Sequence, residues 1–124
     1  MRRLDVDVKK NSYQIRAFEP GRILINDKEY NESVIVTPHE LITGWAVPTQ
    51  EALTASSLHS ILAIKPDVLL LGTGAKHHFI REDIYSELLQ HRIGVEVMST
   101  YAACRTFNAL LLDGRHVVAA LIVD

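Results

Sequence analysis

The chain has a single cysteine, Cys104, so no disulfide can form within it, and the expected setting is a reducing compartment. Its apolar runs are short. The longest, at residues 68–71 and 116–123, fall far below the roughly 20 residues needed to cross a bilayer. Charge of one sign is nowhere concentrated: 13 basic and 15 acidic residues intermingle, for a formal net charge of -2. That excludes a basic nucleic-acid patch or a polybasic membrane tether. Met1-Arg2-Arg3 gives way at once to Asp5, Asp7, Lys9 and Lys10, without the apolar stretch of a secretory signal. These absences point to a cytoplasmic protein with neither nucleic-acid binding nor membrane insertion. Internal repeats, low-complexity tracts and linkers are also lacking, and the 124 residues read as a single domain, 1–124. A domain of this size buries roughly two-thirds of the surface its unfolded chain exposes, and folds without staples.

The first half of the chain reads as strands. Residues 12–18 alternate, with Tyr13, Ile15 and Ala17 on one side and Gln14 and Arg16 on the other. Glu19-Pro20-Gly21 is a turn signal, because proline presets φ and glycine accepts a positive one. Further strands are expected over Arg22–Ile25, Lys28–Tyr30 and residues 33–36. A short helical turn at 39–42 and a strand at 45–47 complete this half.

The second half alternates helix and strand. Thr54 is a candidate N-cap, and Leu58, Ile61 and Leu62 share a helical face that Pro66 terminates. Residues 68–71, wholly apolar, read as a buried central strand. A helix is expected over 81–91, a strand over Gly94–Met98, and a third helix capped by Thr100 with Ala103, Phe107, Leu110 and Leu111 as its apolar stripe. Asp113-Gly114 turns into a last strand over 116–123, which could run antiparallel. Short strand–helix–strand connections favour parallel pairing through right-handed crossovers. The expected fold is therefore α/β: three layers, with a central mixed, largely parallel sheet, flanking helices and an additional N-terminal β layer.

Chemistry is sparse. Gly72-Thr73-Gly74 follows the apolar strand, where open α/β sheets place ligands and where glycines let backbone N–H groups approach an anion. It is not a dinucleotide fingerprint, because His77 stands where a third glycine belongs, and no Walker Gly-Lys-Ser/Thr follows. A tight structural turn is the competing reading. His77 and His78 lack further ligands at metal spacing. Ser99 and Thr100 are expected on the same sheet edge as the glycines. On the third helix Tyr101, Arg105, Asn108 and Leu112 form a stripe opposite the apolar one. Arg105 could meet a carboxylate or phosphate, or could pair with Glu96. Cys104, among Ala102, Ala103 and Phe107, reads as a small core residue. No nucleophile elbow and no suggestive carboxylate pair exist, so no catalytic residue, metal or cofactor is assigned.

Several segments together resemble a known family. They are residues 67–74 (Asp-Val-Leu-Leu-Leu-Gly-Thr-Gly), residues 92–98, Thr100 with Ala102-Ala103, residues 105–108 (Arg-Thr-Phe-Asn) and Asp113-Gly114-Arg115. Their order and spacing is similar to the small α/β domain family that includes the mitochondrial complex I assembly factor 3 and the adipogenesis-associated Mth domain protein. The chain looks like a bacterial member. The resemblance implies a three-layer fold, no established active site, and a role in assembling a respiratory membrane complex through protein contacts.

Two hypotheses follow. A non-enzymatic interaction or assembly module requires protein partners and a contiguous exposed apolar patch of several hundred Å². The alternative is a protein or enzyme binding a small anionic ligand at the edge formed by Gly72, Thr73, Gly74, Ser99, Thr100, Arg105 and Asn108. The exposed side of the third helix is also open to a second copy in a homo-oligomer.

Overall fold

The structure, a computed structural model, describes residues 1–4 and 12–124; the charged segment from Asp5 to Lys10 lies outside the described residues. Two sheets organise the chain. The first joins β1 (Arg2–Arg3), β2 (Ile15–Glu19), β3 (Arg22–Ile25) and β4 (Lys28–Tyr30) in that order, all antiparallel. The second contains β5 (Val34–Val36), β6 (Leu41–Ile42), β7 (Val68–Gly72), β8 (Gly94–Met98) and β9 (Val117–Leu121), in the order β6-β5-β9-β7-β8. The helices are α1 (His59–Ile64), α2 (Ser86–Gln90) and α3 (Thr100–Leu112).

Local chemistry explains the small sheet. Pro20-Gly21 closes the β2–β3 hairpin, with Glu19 opposite Arg22 and Gly21 at φ +85. Asn26, at φ +51, turns β3 into β4; asparagine tolerates this left-handed conformation better than most residues. A bulge shifts the register between Ile15 and Ala17, so Ala17 and Phe18 are both buried although they are adjacent. Strict alternation predicted only one of them inside.

The second sheet is buried on both faces. Val34, Val36, Val68, Leu70, Val117, Ala119 and Leu121 share one core with Phe107 of α3 and with Ile15, Ile23 and Ile25 of the small sheet. Ile35, Leu69, Leu71, Val118 and Ala120 share another with Ile61 of α1 and Leu88 of α2. The two crossovers explain this division. From β7 the chain steps outward through α2 to β8, then back through α3 past β7 to β9. Right-handed connections running in opposite directions put their helices on opposite faces.

Several expectations are corrected. The last strand is not antiparallel to its β7 neighbour: β9 pairs in parallel with β7, Val68 opposite Val117. Both pairs involving β7 are parallel, while the β5–β9 and β5–β6 pairs are antiparallel, so the sheet is evenly mixed. The first half both builds the small sheet and, through β5 and β6, extends the large one. Residues 41–42 are a strand, β6, and not a helical turn. Residues 45–47 are not a strand; Trp45 Nε1 donates to the Ser57 carbonyl at 2.9 Å while Val47 fills the second core. The helix expected over 81–91 divides into a 3-10 turn, Glu82–Ile84, and the short α2, because Tyr85 (φ -122, ψ 11) leaves the helical region.

Candidate functional site

The glycine loop leaves β7 where the sheet changes the direction of its crossovers, a usual place for a ligand crevice. Here that crevice is laced shut. Thr73 is fully buried; its N–H donates to the Met98 carbonyl at 2.9 Å, and its hydroxyl donates to the Lys76 carbonyl at 2.8 Å while accepting from the His78 N–H at 3.0 Å. The Gly74 N–H donates to Thr100 Oγ1 at 2.8 Å, and that hydroxyl donates to the Ile122 carbonyl at 2.7 Å. Thr100 N–H returns to the Gly74 carbonyl at 2.9 Å, and Ile122 N–H reaches the Gly72 carbonyl at 3.0 Å.

Gly72 is required by this closeness and Gly74 by its left-handed backbone angle. A Cβ on Gly72 would lie 2.9 Å from the Thr100 backbone, and one on Gly74 (φ +109) would lie 2.5 Å from Asp124 Oδ1. The expectation that Thr100 caps α3 is corrected. Ser99 is the N-cap and accepts from the Ala102 N–H at 3.3 Å, because the Thr100 hydroxyl is already engaged by Gly74 and Ile122.

Arg105 and Asn108 lie elsewhere. With Tyr101 and Leu112 they line a cleft of about 450 Å³, whose opposite wall comes from Arg2, Arg3 and Leu4 at β1. Asn108 is 7% exposed and acts as a backbone surrogate: Oδ1 accepts from the Ile15 N–H at 3.1 Å and Nδ2 donates to the Ile15 carbonyl at 2.7 Å, tying β2 to α3. Arg105 is exposed and makes no ion pair with a described residue, Glu96 included. The Arg2 guanidinium lies 3.7 Å from the Tyr101 ring centre, and the Tyr101 hydroxyl donates to the Arg3 carbonyl at 3.3 Å. The structure thus brings Gly72, Thr73, Gly74 and Thr100 together at one place, and Arg105 and Asn108 at another.

Arg2 and Arg3 were missed as site residues. A two-residue strand carries no periodic signal, and the pair reads in sequence only as the start of a charged stretch. Phe79 was missed too. It is 84% exposed on the loop after β7, beside a smaller cleft that Leu53, Ile80 and Ile84 help to line. Among the described residues the exposed large apolar side chains are Met1, Phe79, Leu89 and Leu112, on four separate segments of the sequence. Cys104 lies fully inside the first core, and burial pushes its thiol pKa far up, away from nucleophile chemistry. Among the described residues no group of three or more His, Cys, Asp and Glu could hold a metal ion.

Residues 15–122, which include the glycine edge and α3 but not the Arg2–Leu4 wall of the cleft, match the family described as "Protein of unknown function (DUF498/DUF598)". The chain belongs to that family. Its relatives include the zebrafish (Danio rerio) NADH dehydrogenase [ubiquinone] 1 alpha subcomplex assembly factor 3, 33% identical over 110 residues, which are 87% of this chain and 63% of the relative. The chain thus spans under two-thirds of that assembly factor's length. The 13 kDa major membrane protein of Francisella tularensis is 27% identical over 108 residues, 86% of this chain and 88% of that one. A solution structure of a Bordetella pertussis Mth938-like domain superposes with TM-score 0.83 at 29% identity, covering 98% of this chain and 92% of that chain. The family and the mixed α/β fold agree with the resemblance read from residues 67–74, 92–98 and 105–108. Among the described residues no helix is long and apolar enough to cross a membrane. The Francisella relative is named a membrane protein, whereas the sequence of this chain led to the expectation of a cytoplasmic one.

Proposed function

We propose that this protein is a non-enzymatic interaction module that assists the assembly of a respiratory membrane complex. The observation that carries this reading is the 33% identity to the zebrafish assembly factor over 87% of the chain. Two structural features support it. The polar groups at the glycine edge bond to one another, so they serve the fold rather than a reacting substrate. Phe79 presents an aromatic side chain at 84% exposure, the kind of rigid apolar anchor that dominates protein interfaces. A second reading, binding of a small anion, is favoured by the three arginines that line the cleft at α3.

The test is genetic and biochemical, in a native host that respires through an NADH:quinone complex. Deleting the gene is expected to lower the fully assembled complex on native gels, with wild type restoring it and Phe79→Asp failing to do so. An unchanged amount of assembled complex in the deletion strain overturns the reading.

A further inference from the structure

On the small sheet Arg22 lies between two acids, paired with Glu19 at 2.7 Å and Glu29 at 3.3 Å. The α3 cleft differs. Arg2, Arg3 and Arg105 line it with no aspartate or glutamate among the described lining residues, on a chain whose formal net charge is -2. Like charges gathered in one concavity repel, and a bound anion would relieve that repulsion. Guanidinium groups suit phosphate because their planar forks donate paired hydrogen bonds to its oxygens.

The walls add shape. Beside the arginines, Leu4, Ala109 and Leu112 supply an apolar flank, with Leu112 45% exposed. The volume of about 450 Å³ falls within the usual range for small-molecule sites, roughly 300–1,000 Å³. The two sides are braced before any ligand arrives. Tyr101 holds Arg2 across its ring and bonds the Arg3 carbonyl, Leu4 N–H donates to the Arg16 carbonyl at 3.0 Å, and Asn108 fixes β2.

We propose that this cleft binds a phosphate-headed amphiphile, its phosphate between Arg2 and Arg105 and its apolar body along Leu4, Ala109 and Leu112. The inference rests on the cleft alone and is independent of the assembly reading; either can fail without the other. A free metabolite and a lipid headgroup share this chemistry, and the experiment separates them.

The probe is hexyl phosphate, titrated into the 15N-labelled protein and followed by amide shifts, with inorganic phosphate and hexanol as controls. Saturable shifts are expected at Leu4, Tyr101, Arg105, Ala109 and Leu112, with at least fivefold weaker binding of either control. Arg105→Gln and Arg2→Gln should each weaken hexyl phosphate at least fivefold while leaving the rest of the spectrum in place. Flotation with phosphatidylglycerol vesicles but not phosphatidylcholine vesicles, lost in Arg105→Gln, identifies the lipid source. Hexyl phosphate binding without flotation identifies a soluble ligand. Shifts that do not saturate, that centre away from the cleft, or that are unchanged in both variants overturn the proposal.

Discussion

At the start of α3, Thr100 is fully buried and its hydroxyl is both donor and acceptor within the fold; little more than one turn later, Arg105 is exposed and has no ionic partner among the described residues. The same helix serves two regions with opposite treatment of polar groups. At the glycine edge each named donor meets an acceptor inside the protein, with Thr73 and Thr100 both fully buried. In the cleft, positive charge is gathered with no acid among the described lining residues. A structural knot and a binding site can carry similar sequence signals, glycines and hydroxyls after a strand, and hydrogen-bond saturation is what separates them.

The sharpest way to break this comparison is Thr100→Val, which keeps shape and removes the hydroxyl. It strands the Gly74 N–H and the Ile122 carbonyl, two buried backbone groups. At about 1–3 kcal/mol for each of the two unsatisfied groups, the expected loss is about 2–6 kcal/mol in guanidinium unfolding, with Thr100→Ser recovering most of it. A loss below about 0.5 kcal/mol, a size usual for inconsequential surface changes, would mean that the knot does not hold the edge together.

Part of this arrangement was legible in the sequence. The apolar run at 68–71 placed the central strand, and the 3.6-residue period put Tyr101, Arg105, Asn108 and Leu112 on one stripe; all four line the same cleft. The hidden part was long-range. Thr100 looked like an N-cap because capping is local, whereas its true partners, Gly74 and Ile122, are 26 and 22 residues away. Asn108 looked like a ligand residue for the same reason: Ile15, the backbone it binds, lies 93 residues upstream. Periodicity reports which face a residue is on and says nothing about which strand comes to meet it. Hence Arg105 and Asn108 were grouped with the glycines, and Arg2 and Arg3 with nothing.

Cys104 extends the contrast to the core side of α3. Burial holds its thiol protonated, so it should resist Ellman's reagent in the native protein at pH 8 and react once guanidinium unfolds the chain. The sign of the pH effect follows. The unfolded thiol ionises near its ordinary value of 9.0 and the folded one well above it, so unfolding releases a proton in that interval. Stability is fully retained below the unfolded value and declines as pH rises above it toward the folded one. Denaturation midpoints measured from pH 8 upward should show this decline, and Cys104→Ala should remove that component. Rapid native labelling at pH 8 would place the thiol in contact with solvent and undo the contrast.

The smallest effect on stability, and the most discriminating, is expected from Arg105→Gln. If Arg105 serves the fold as Thr100 does, removing its charge should destabilise the protein. If it stands in a cleft of like charges, the change should leave stability within about 0.5 kcal/mol of the wild type, the usual range for surface positions. Any shift should be toward greater stability, because one of the cleft's like charges is gone, and it should shrink as added salt screens that repulsion. Thermal melts at low and high ionic strength therefore give a signature with a sign. A salt-sensitive stabilisation means that Arg105 is held against its own neighbours and needs an anion, while a salt-insensitive loss above 1 kcal/mol means that it packs or bonds as part of the fold, and the two ends of α3 would then be alike.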